Sequence, residues 1–234
     1  MPDLHLEVLV IAPHPDDAEL FCGGLLAKLG AQGYRCGVLD LTRGERASRG
    51  TPALRQQEAE AAAQVLGLHW RGNLGLPDAG LDGASDTQVQ ALVEQLRVIR
   101  PELVLAPWRH ERHPDHVAAS QLAKRAVFLC GLRNWPTPDQ LAHTVTQLLY
   151  YPMRSQTRPS FVVDIAEFAE IKARAVACHA SQVGPGAAGT LVGSPASQVA
   201  LQHRDGWFGA FVGCAAGEPY LLDGPLPVAD PLAL

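Results

Sequence analysis

Two short segments of this 234-residue chain concentrate residue types that can bind a metal ion and move protons. Residues 13–17 read PHPDD and residues 109–116 read RHERHPDH, so thirteen residues hold four of the nine histidines and four carboxylates. Catalytic zinc usually has three protein ligands drawn from His, Asp and Glu, with one position left for water. The two segments together therefore predict a metal-dependent catalytic site.

The spacing within each segment predicts a role for each side chain. His14 and Asp17 lie three residues apart at the start of a predicted helix and can point the same way, and His116 in the first turn of a later helix can complete the ligand set. Asp16 then remains to accept a proton from the attacking water, and His113 can donate to an oxyanion or a leaving group.

The carboxylate of Asp115 has a supporting role in this interpretation. A carboxylate behind a ligating or catalytic histidine orients the imidazole and fixes its tautomer. Asp115 lies between His113 and His116 in the chain, and the spacing leaves open which imidazole it orients.

The two segments can form one site only if the fold brings the ends of two strands together. The alternating strand and helix patterns of the chain predict such a fold. Apolar runs predict strands, and amphipathic windows bounded by capping residues or glycine predict helices. The strands are predicted at residues 4–12, 36–42, 68–74 and 102–106, and the helices at 17–32, 52–65, 87–100 and 114–129. The pattern predicts an α/β fold with a Rossmann-like, doubly wound, mostly parallel sheet flanked by helices. In such sheets ligands bind beyond the carboxyl ends of the strands, where both segments fall.

The second part of the chain has weaker signals. We predict that residues 131–234 complete the sheet and the pocket of a single domain spanning 1–234, whose core βα units occupy 1–130. A strand is expected at 161–165, a helix at 166–179, a mobile glycine-rich loop at 184–193 and an apolar piece at 208–212. The proline-rich tail, residues 219–234, is expected to wrap the same core.

Composition excludes several classes of function. The chain is 47% hydrophobic with a formal charge of −5, and no window is basic enough to follow a phosphate backbone, so we expect no nucleic-acid partner. No apolar stretch is long enough to span a bilayer, and the start of the chain does not have the pattern of a secretory signal. Five widely spaced cysteines without a CxxC pair favour a reducing cytoplasm.

These residues resemble a known family. Residues 13–19 (PHPDDAE) and 113–116 (HPDH) are similar to the zinc-dependent N-deacetylases of the PIG-L or LmbE-like superfamily, which remove acetyl from N-acetylglucosamine units. Residues 42–45, 73–78, 159–164 and 181–182 are similar to the bacillithiol biosynthesis deacetylase subgroup, so the resemblance covers essentially the whole chain.

The resemblance implies an LmbE-like fold, a Zn²⁺ cofactor with Fe²⁺ as a possible substitute, and the same ligand and catalytic residues, with Asp115 behind His113. It implies a small amino-sugar substrate, N-acetylglucosaminyl malate, and a homo-oligomer that is a trimer or a hexamer. It also implies a substrate role for Arg55, which lies in the first turn of the helix after the second strand and so faces the same crevice. Glu45 and Arg109 are further candidate substrate-binding residues, whereas His110, His179 and Arg204 receive no role.

Other functions stay open at this point. Within hydrolases, the chain could be an amidase acting on bacillithiol S-conjugates or a deacetylase of another amino sugar such as diacetylchitobiose. Two histidines and one carboxylate also describe the non-haem Fe(II) site of oxygenases, although the alternating strands and helices disfavour that class. A non-catalytic dinucleotide-binding module is disfavoured because HPDD stands where GxGxxG would follow the first strand.

Overall fold

The computed structural model describes residues 4–137, 140–154, 157–184 and 193–225. Seven strands and seven α-helices form in these residues, with a 3₁₀ turn at Ala166–Phe168. The strands are β1 Val8–Ala12, β2 Cys36–Thr42, β3 Trp70–Leu76, β4 Leu103–Pro107, β5 Gln147–Tyr151, β6 Phe161–Asp164 and β7 Gly217–Tyr220. The helices are α1 Asp17–Ala31, α2 Pro52–Leu66, α3 Asp86–Ile99, α4 Pro114–Cys130, α5 Ala169–Ala177, α6 Ala180–Val183 and α7 Pro195–Val212.

Five parallel strands form the central sheet in the order β3-β2-β1-β4-β5. Val8 pairs with Cys36 of β2 on one side of β1 and with Leu103 of β4 on the other. The chain thus winds in one direction from β1 to β3 and in the other from β4 to β5, which makes the space between β1 and β4 the switch point of the topology. The predicted α/β fold is confirmed.

Helices cover both faces of this sheet, which explains the continuous apolar character of its central strands. All residues of β1 and β2 are buried. Leu9 and Ile11 of β1 pack in one core with residues of α3 and α4, whereas Val8 and Val10 pack in a second core with residues of α1. The helices α1 and α4, which begin at the two segments of interest, therefore lie on opposite faces of the sheet.

The second part of the chain differs from prediction in several elements. The strand β5 was not predicted, and the apolar piece at 208–212 is the end of the 18-residue helix α7. The helix predicted at 166–179 divides into the 3₁₀ turn and α5. β7, whose last two residues belong to the predicted tail, pairs antiparallel with β6. Tyr150 and Leu221 exchange backbone hydrogen bonds that join this small sheet to β5. Most of the predicted loop at 184–193, and residues 226–234, lie outside the described residues.

None of the helices within the described ranges is long and apolar enough to cross a membrane. All five cysteines are free thiols, and three of them are buried.

Candidate metal centre

The loops after β1 and β4 meet at the carboxyl edge of the sheet, because these two strands are neighbours in parallel register. Pro114 occupies the first turn of α4, and the N-cap residue His113 accepts a hydrogen bond from the backbone N–H of Asp115 through Nδ1, at 3.2 Å. The cap fixes the direction in which the His113 imidazole leaves the chain. Side chains more than ninety residues apart in sequence thereby come into contact.

His14, Asp17 and His116 form a compact set of three possible metal ligands. His14 Nδ1 lies 3.2 Å and His116 Nε2 lies 3.4 Å from the same oxygen, Asp17 Oδ2. The ligand atoms of the three side chains all lie within 4.8 Å of one another. Tetrahedral ligands at about 2.0–2.1 Å from a shared ion stand about 3.3–3.4 Å apart. The residues predicted as ligands therefore fit a zinc-type ion.

Asp115 contacts the other nitrogen of His14. Its Oδ2 lies 3.2 Å from His14 Nε2 and accepts a hydrogen bond from the backbone N–H of Ala79 at 2.8 Å. A carboxylate in this position holds the Nε2 proton and leaves Nδ1 with a free lone pair for a metal. The contacts place Asp115 against His14, and not behind His113 as the resemblance implies.

Asp78, in the loop after β3, is a site residue to which the sequence analysis gave no role. Its Oδ1 lies 3.3 Å from His14 Nε2, and its Oδ2 accepts a hydrogen bond from the backbone N–H of Arg46 at 2.7 Å. Glu45 in turn accepts a hydrogen bond from the backbone N–H of Asp78 at 2.8 Å. An acidic residue directly after a parallel strand was the available signal. The contacts of Glu45 are those of a residue that orders this loop, and its role as a substrate ligand stays a prediction.

The charges around the predicted ligands are strongly unbalanced. Burial lowers the pKa of His14, but hydrogen bonds to Asp115, Asp17 and Asp78 outweigh it and hold that pKa well above the usual value. Burial raises the pKa of Asp17, but His116 and His14 reverse this effect and lower that pKa strongly. Several carboxylates thus share one buried imidazole, an excess of negative charge that a divalent cation would offset.

Asp16 stands beside the ligands in a strained backbone conformation. Its φ of 138° lies in a region that residues other than glycine rarely occupy. Burial raises the pKa of its carboxyl to about 6, although the nearby guanidinium of Arg55 opposes this rise. A carboxylate with a pKa near neutrality is suited to accept and return a proton.

The buried side chain of Arg55 holds the Asp16 loop. Its Nη2 donates a 2.6 Å hydrogen bond to the carbonyl of Pro15 and lies 3.4 Å from Asp16 Oδ2. Its Nη1 donates to the carbonyl of Gly44 at 3.2 Å. Gly44 has a φ of 63°, and a Cβ there would lie only 1.8 Å from this Nη1. Although Arg55 borders the cleft, two of its three nitrogens bond to the backbone. Its role as a substrate ligand stays a prediction that these contacts do not favour.

His113 is placed to donate a proton or a hydrogen bond. Its ring lies 4.8 Å from that of His116 and 4.9 Å from that of His14. Burial and these two imidazoles lower its pKa. Since Nδ1 accepts from a backbone N–H, the neutral ring carries its proton on Nε2.

Arg109 lies outside the cleft that contains the predicted ligands. Its guanidinium pairs with Asp223 at 2.9 Å and stacks on Trp108 at 4.1 Å, with the side chain 45% exposed. Its ring contact and ion pair are those of a surface residue, so its role in substrate binding also stays a prediction.

The cleft itself has a volume of about 410 Å³ and is bordered by the predicted ligands, Asp16 and His113. Three exposed arginines that sequence reasoning did not select, Arg46, Arg112 and Arg154, also line it. Within the described part of the chain their guanidinium groups form no ion pair. They are the cationic groups available to an anionic substrate.

A buried charge cluster lies behind Asp16. His179 is 1% exposed, and its Nε2 lies 3.3 Å from Oε2 of Glu19, which is itself completely buried. Arg71 pairs with Glu19 and, at 2.8 Å, with Asp40. The opposite charges of these groups offset one another within the core. Because Glu19 belongs to the first turn of α1, its contacts also fix the part of the helix that carries Asp17.

Comparisons with known proteins agree with this geometry. Residues 9–127 match the PIG-L family, described as GlcNAc-PI de-N-acetylase. The diacetylchitobiose deacetylase of Thermococcus kodakarensis is 32% identical over 190 residues, covering 75% of this chain and 70% of that protein. A probable N-acetyl-alpha-D-glucosaminyl L-malate deacetylase 2 of Bacillus cereus is 28% identical over 191 residues, covering 75% of this chain and 83% of that protein.

A solved structure extends the likeness to nearly the whole chain. The crystal structure of the conserved protein TT1542 from Thermus thermophilus superposes with a TM-score of 0.87 at 42% identity, and the match covers 96% of this chain and 97% of that one. The family match spans just over half of the 234 residues and contains every predicted ligand. The protein therefore belongs to the PIG-L family and is a hydrolytic N-deacetylase.

Proposed function

We propose that the protein is a metal-dependent enzyme that removes the acetyl group from an N-acetylglucosamine-containing small molecule. The observation that carries this proposal is the position of Asp16 next to three mutually adjacent ligands, His14, Asp17 and His116. One cleft is bordered by a base, by the possible metal ligands and by His113, which can donate a hydrogen bond. Amide hydrolysis needs this set of groups.

The ligand triad would hold Zn²⁺, or Fe²⁺ in its place, and the ion would polarise the acetamide carbonyl and lower the pKa of the attacking water. Asp16 accepts the proton of that water as it attacks the carbonyl carbon. His113 Nε2–H stabilises the oxyanion that forms. The proton held by Asp16 then passes to the departing amine, which leaves a free amino sugar and acetate.

For the substrate we propose N-acetylglucosaminyl malate, which the enzyme would convert to glucosaminyl malate in bacillithiol biosynthesis. The name of the Bacillus cereus relative supports this choice, and so does the cleft, because malate carries two carboxylates. Arg46, Arg112 and Arg154 are the arginines exposed to receive them. The name of the Thermococcus relative keeps diacetylchitobiose as the competing substrate.

The test is acetate release by the protein reconstituted with Zn²⁺ or Fe²⁺. N-acetylglucosaminyl malate, diacetylchitobiose and a bacillithiol S-conjugate are compared at equal concentration, with free amine measured in parallel. We expect the highest kcat/KM with the malate glycoside. If the S-conjugate is cleaved and neither acetamido sugar is, the protein is an amidase and the proposed reaction is wrong.

A further inference from the structure

A second, larger cavity lies on the surface between α7 and β6. It is a groove of about 930 Å³, and its apolar walls come from Phe161, Val162, Trp207, Phe208, Phe211 and Val212. None of these residues belongs to the metal centre. Arg154 and Arg158 also border the groove, so its surface is aromatic with a cationic rim.

This groove is continuous with the cleft of the metal centre. Met153 and Arg154 line both cavities. Their backbone N–H groups donate to the carboxylate of Glu111, at 2.7 and 3.1 Å, and Glu111 belongs to the loop that leads to His113. The junction between groove and cleft is therefore held by the same loop that positions the catalytic groups.

The aromatic side chains of the groove are ordered by mutual contacts but remain open to solvent. Trp207 and Phe211 are 65% and 66% exposed, and their rings meet edge to face at 5.4 Å. The guanidinium of Arg204 lies 5.3 Å from the ring of Phe208, and both residues line the groove. Contiguous exposed apolar patches rimmed by polar residues mark interaction sites or ligand-binding grooves.

We propose that the groove binds an apolar alkyl or aryl group carried on the substrate next to its amino sugar. The inference rests on the proposed function, since it requires an N-acetylglucosaminide in the cleft. The acetamide at C2 must face the ligands and Asp16, so the substituent at the adjacent C1 leaves the cleft close to the reacting bond. The groove is an apolar cavity that shares Met153 and Arg154 with the cleft. It extends the substrate class from the malate glycoside to glycosides with an apolar aglycone.

The experiment compares methyl and hexyl N-acetyl-α-glucosaminides as substrates of the metal-reconstituted protein. We expect kcat/KM to be about tenfold higher for the hexyl glycoside, the gain expected from burying about two methylene groups. N-acetylglucosaminyl malate is assayed in parallel, and if neither it nor either glycoside is deacetylated, the proposed function fails. If both glycosides react at equal kcat/KM, the proposed function stands and the groove is not a substrate site.

Three variants locate the effect. Trp207→Ala and Phe211→Ala should each remove most of the preference for the hexyl glycoside and leave kcat/KM for the methyl glycoside unchanged. Phe128→Ala is the matched control, because Phe128 is 68% exposed on α4 and does not line the groove. The molar mass of each variant is measured by light scattering. If Trp207→Ala lowers the molar mass and keeps the hexyl preference, the aromatic surface of the groove is a contact between copies of this chain and the proposal is wrong.

Discussion

Replacing Arg55 by Met tests whether this residue serves the catalytic base or the substrate. The sequence pattern favours a guanidinium that binds a substrate carboxylate, which predicts a higher KM in the variant. The structure instead buries the side chain against the backbone, with Nη2 3.4 Å from Asp16 Oδ2. This geometry predicts that the variant loses the charge that keeps Asp16 ionised.

The size of the effect follows from the ion pair. Two charges about 4 Å apart at an effective dielectric constant of about 20 interact by about 4 kcal/mol, which is equivalent to about 3 pKa units. Removing the cation destabilises the carboxylate, so the pKa of Asp16 should rise from about 6 to about 9. At pH 7 the ionised fraction would fall from about nine-tenths to about one-hundredth, and kcat would fall by about 100-fold. A bound divalent cation would lower this pKa in both proteins, so the displacement of the acidic limb is kept, whereas the loss of kcat becomes smaller than 100-fold at pH 7 and is largest at lower pH.

The assay is the pH dependence of kcat for the metal-loaded wild type and variant, with circular dichroism as a check on folding. We expect the acidic limb to move towards alkaline pH, with activity recovered as the pH rises and KM changed little. Arg55→Lys keeps the positive charge, so its acidic limb should lie between those of the wild type and Arg55→Met. An acidic limb that does not move, together with a KM raised several-fold, would show that Arg55 binds substrate and that the reasoning from burial is wrong.

Three further predictions follow from other contacts. Asp16→Asn should retain the metal and lose activity by orders of magnitude, whereas His116→Ala should lose the metal itself; atomic absorption and turnover measured on both variants separate the two roles. Gly44→Ala should lower kcat without removing any charge, because the new Cβ displaces the Arg55 guanidinium, and wild-type kcat would contradict this. Glu218→Ala should lower the free energy of unfolding in urea by about 3–5 kcal/mol, because it leaves buried Lys172 with Asp205 as its one remaining carboxylate partner among the described residues and removes the acceptor of the Gly24 and Leu25 backbone N–H groups; a loss below about 1 kcal/mol would refute the estimate.

The first half of the fold was predictable from sequence because its strands are buried on both faces. β1 is a continuous apolar run, and β2 is an apolar run interrupted by Asp40. The helix after β2 begins at Thr51 and ends at Gly67, two recognisable capping residues whose cap contacts the structure contains. β1 begins at Val8, four residues later than predicted, and β4 is displaced by one residue. β3 was shifted from 68–74 to Trp70–Leu76, and it is a half-exposed edge strand with two glycines.

The second half was less predictable because its elements depend on tertiary contacts. β5 has only five residues and follows a proline-containing segment, and it becomes a strand by pairing with β4. The helix α7 contains Gly206 and Gly209, which weaken its helical signal. Gly209 is needed there because a Cβ would lie 2.6 Å from the carbonyl oxygen of Cys214.

The candidate site divides in the same way between what local sequence encodes and what the topology adds. The ligands come from the loops after β1 and β4, the two strands that flank the switch point of the sheet. The motifs together with the predicted fold were therefore enough to predict that His14, Asp17 and His116 would meet. Asp78 reaches His14 from the outer strand β3, two strands away from β1, and only the register of the sheet reveals that contact. A carboxylate at that distance still helps to fix the His14 proton on Nε2. The residues that hold the ligands in place are therefore harder to find from sequence than the ligands themselves.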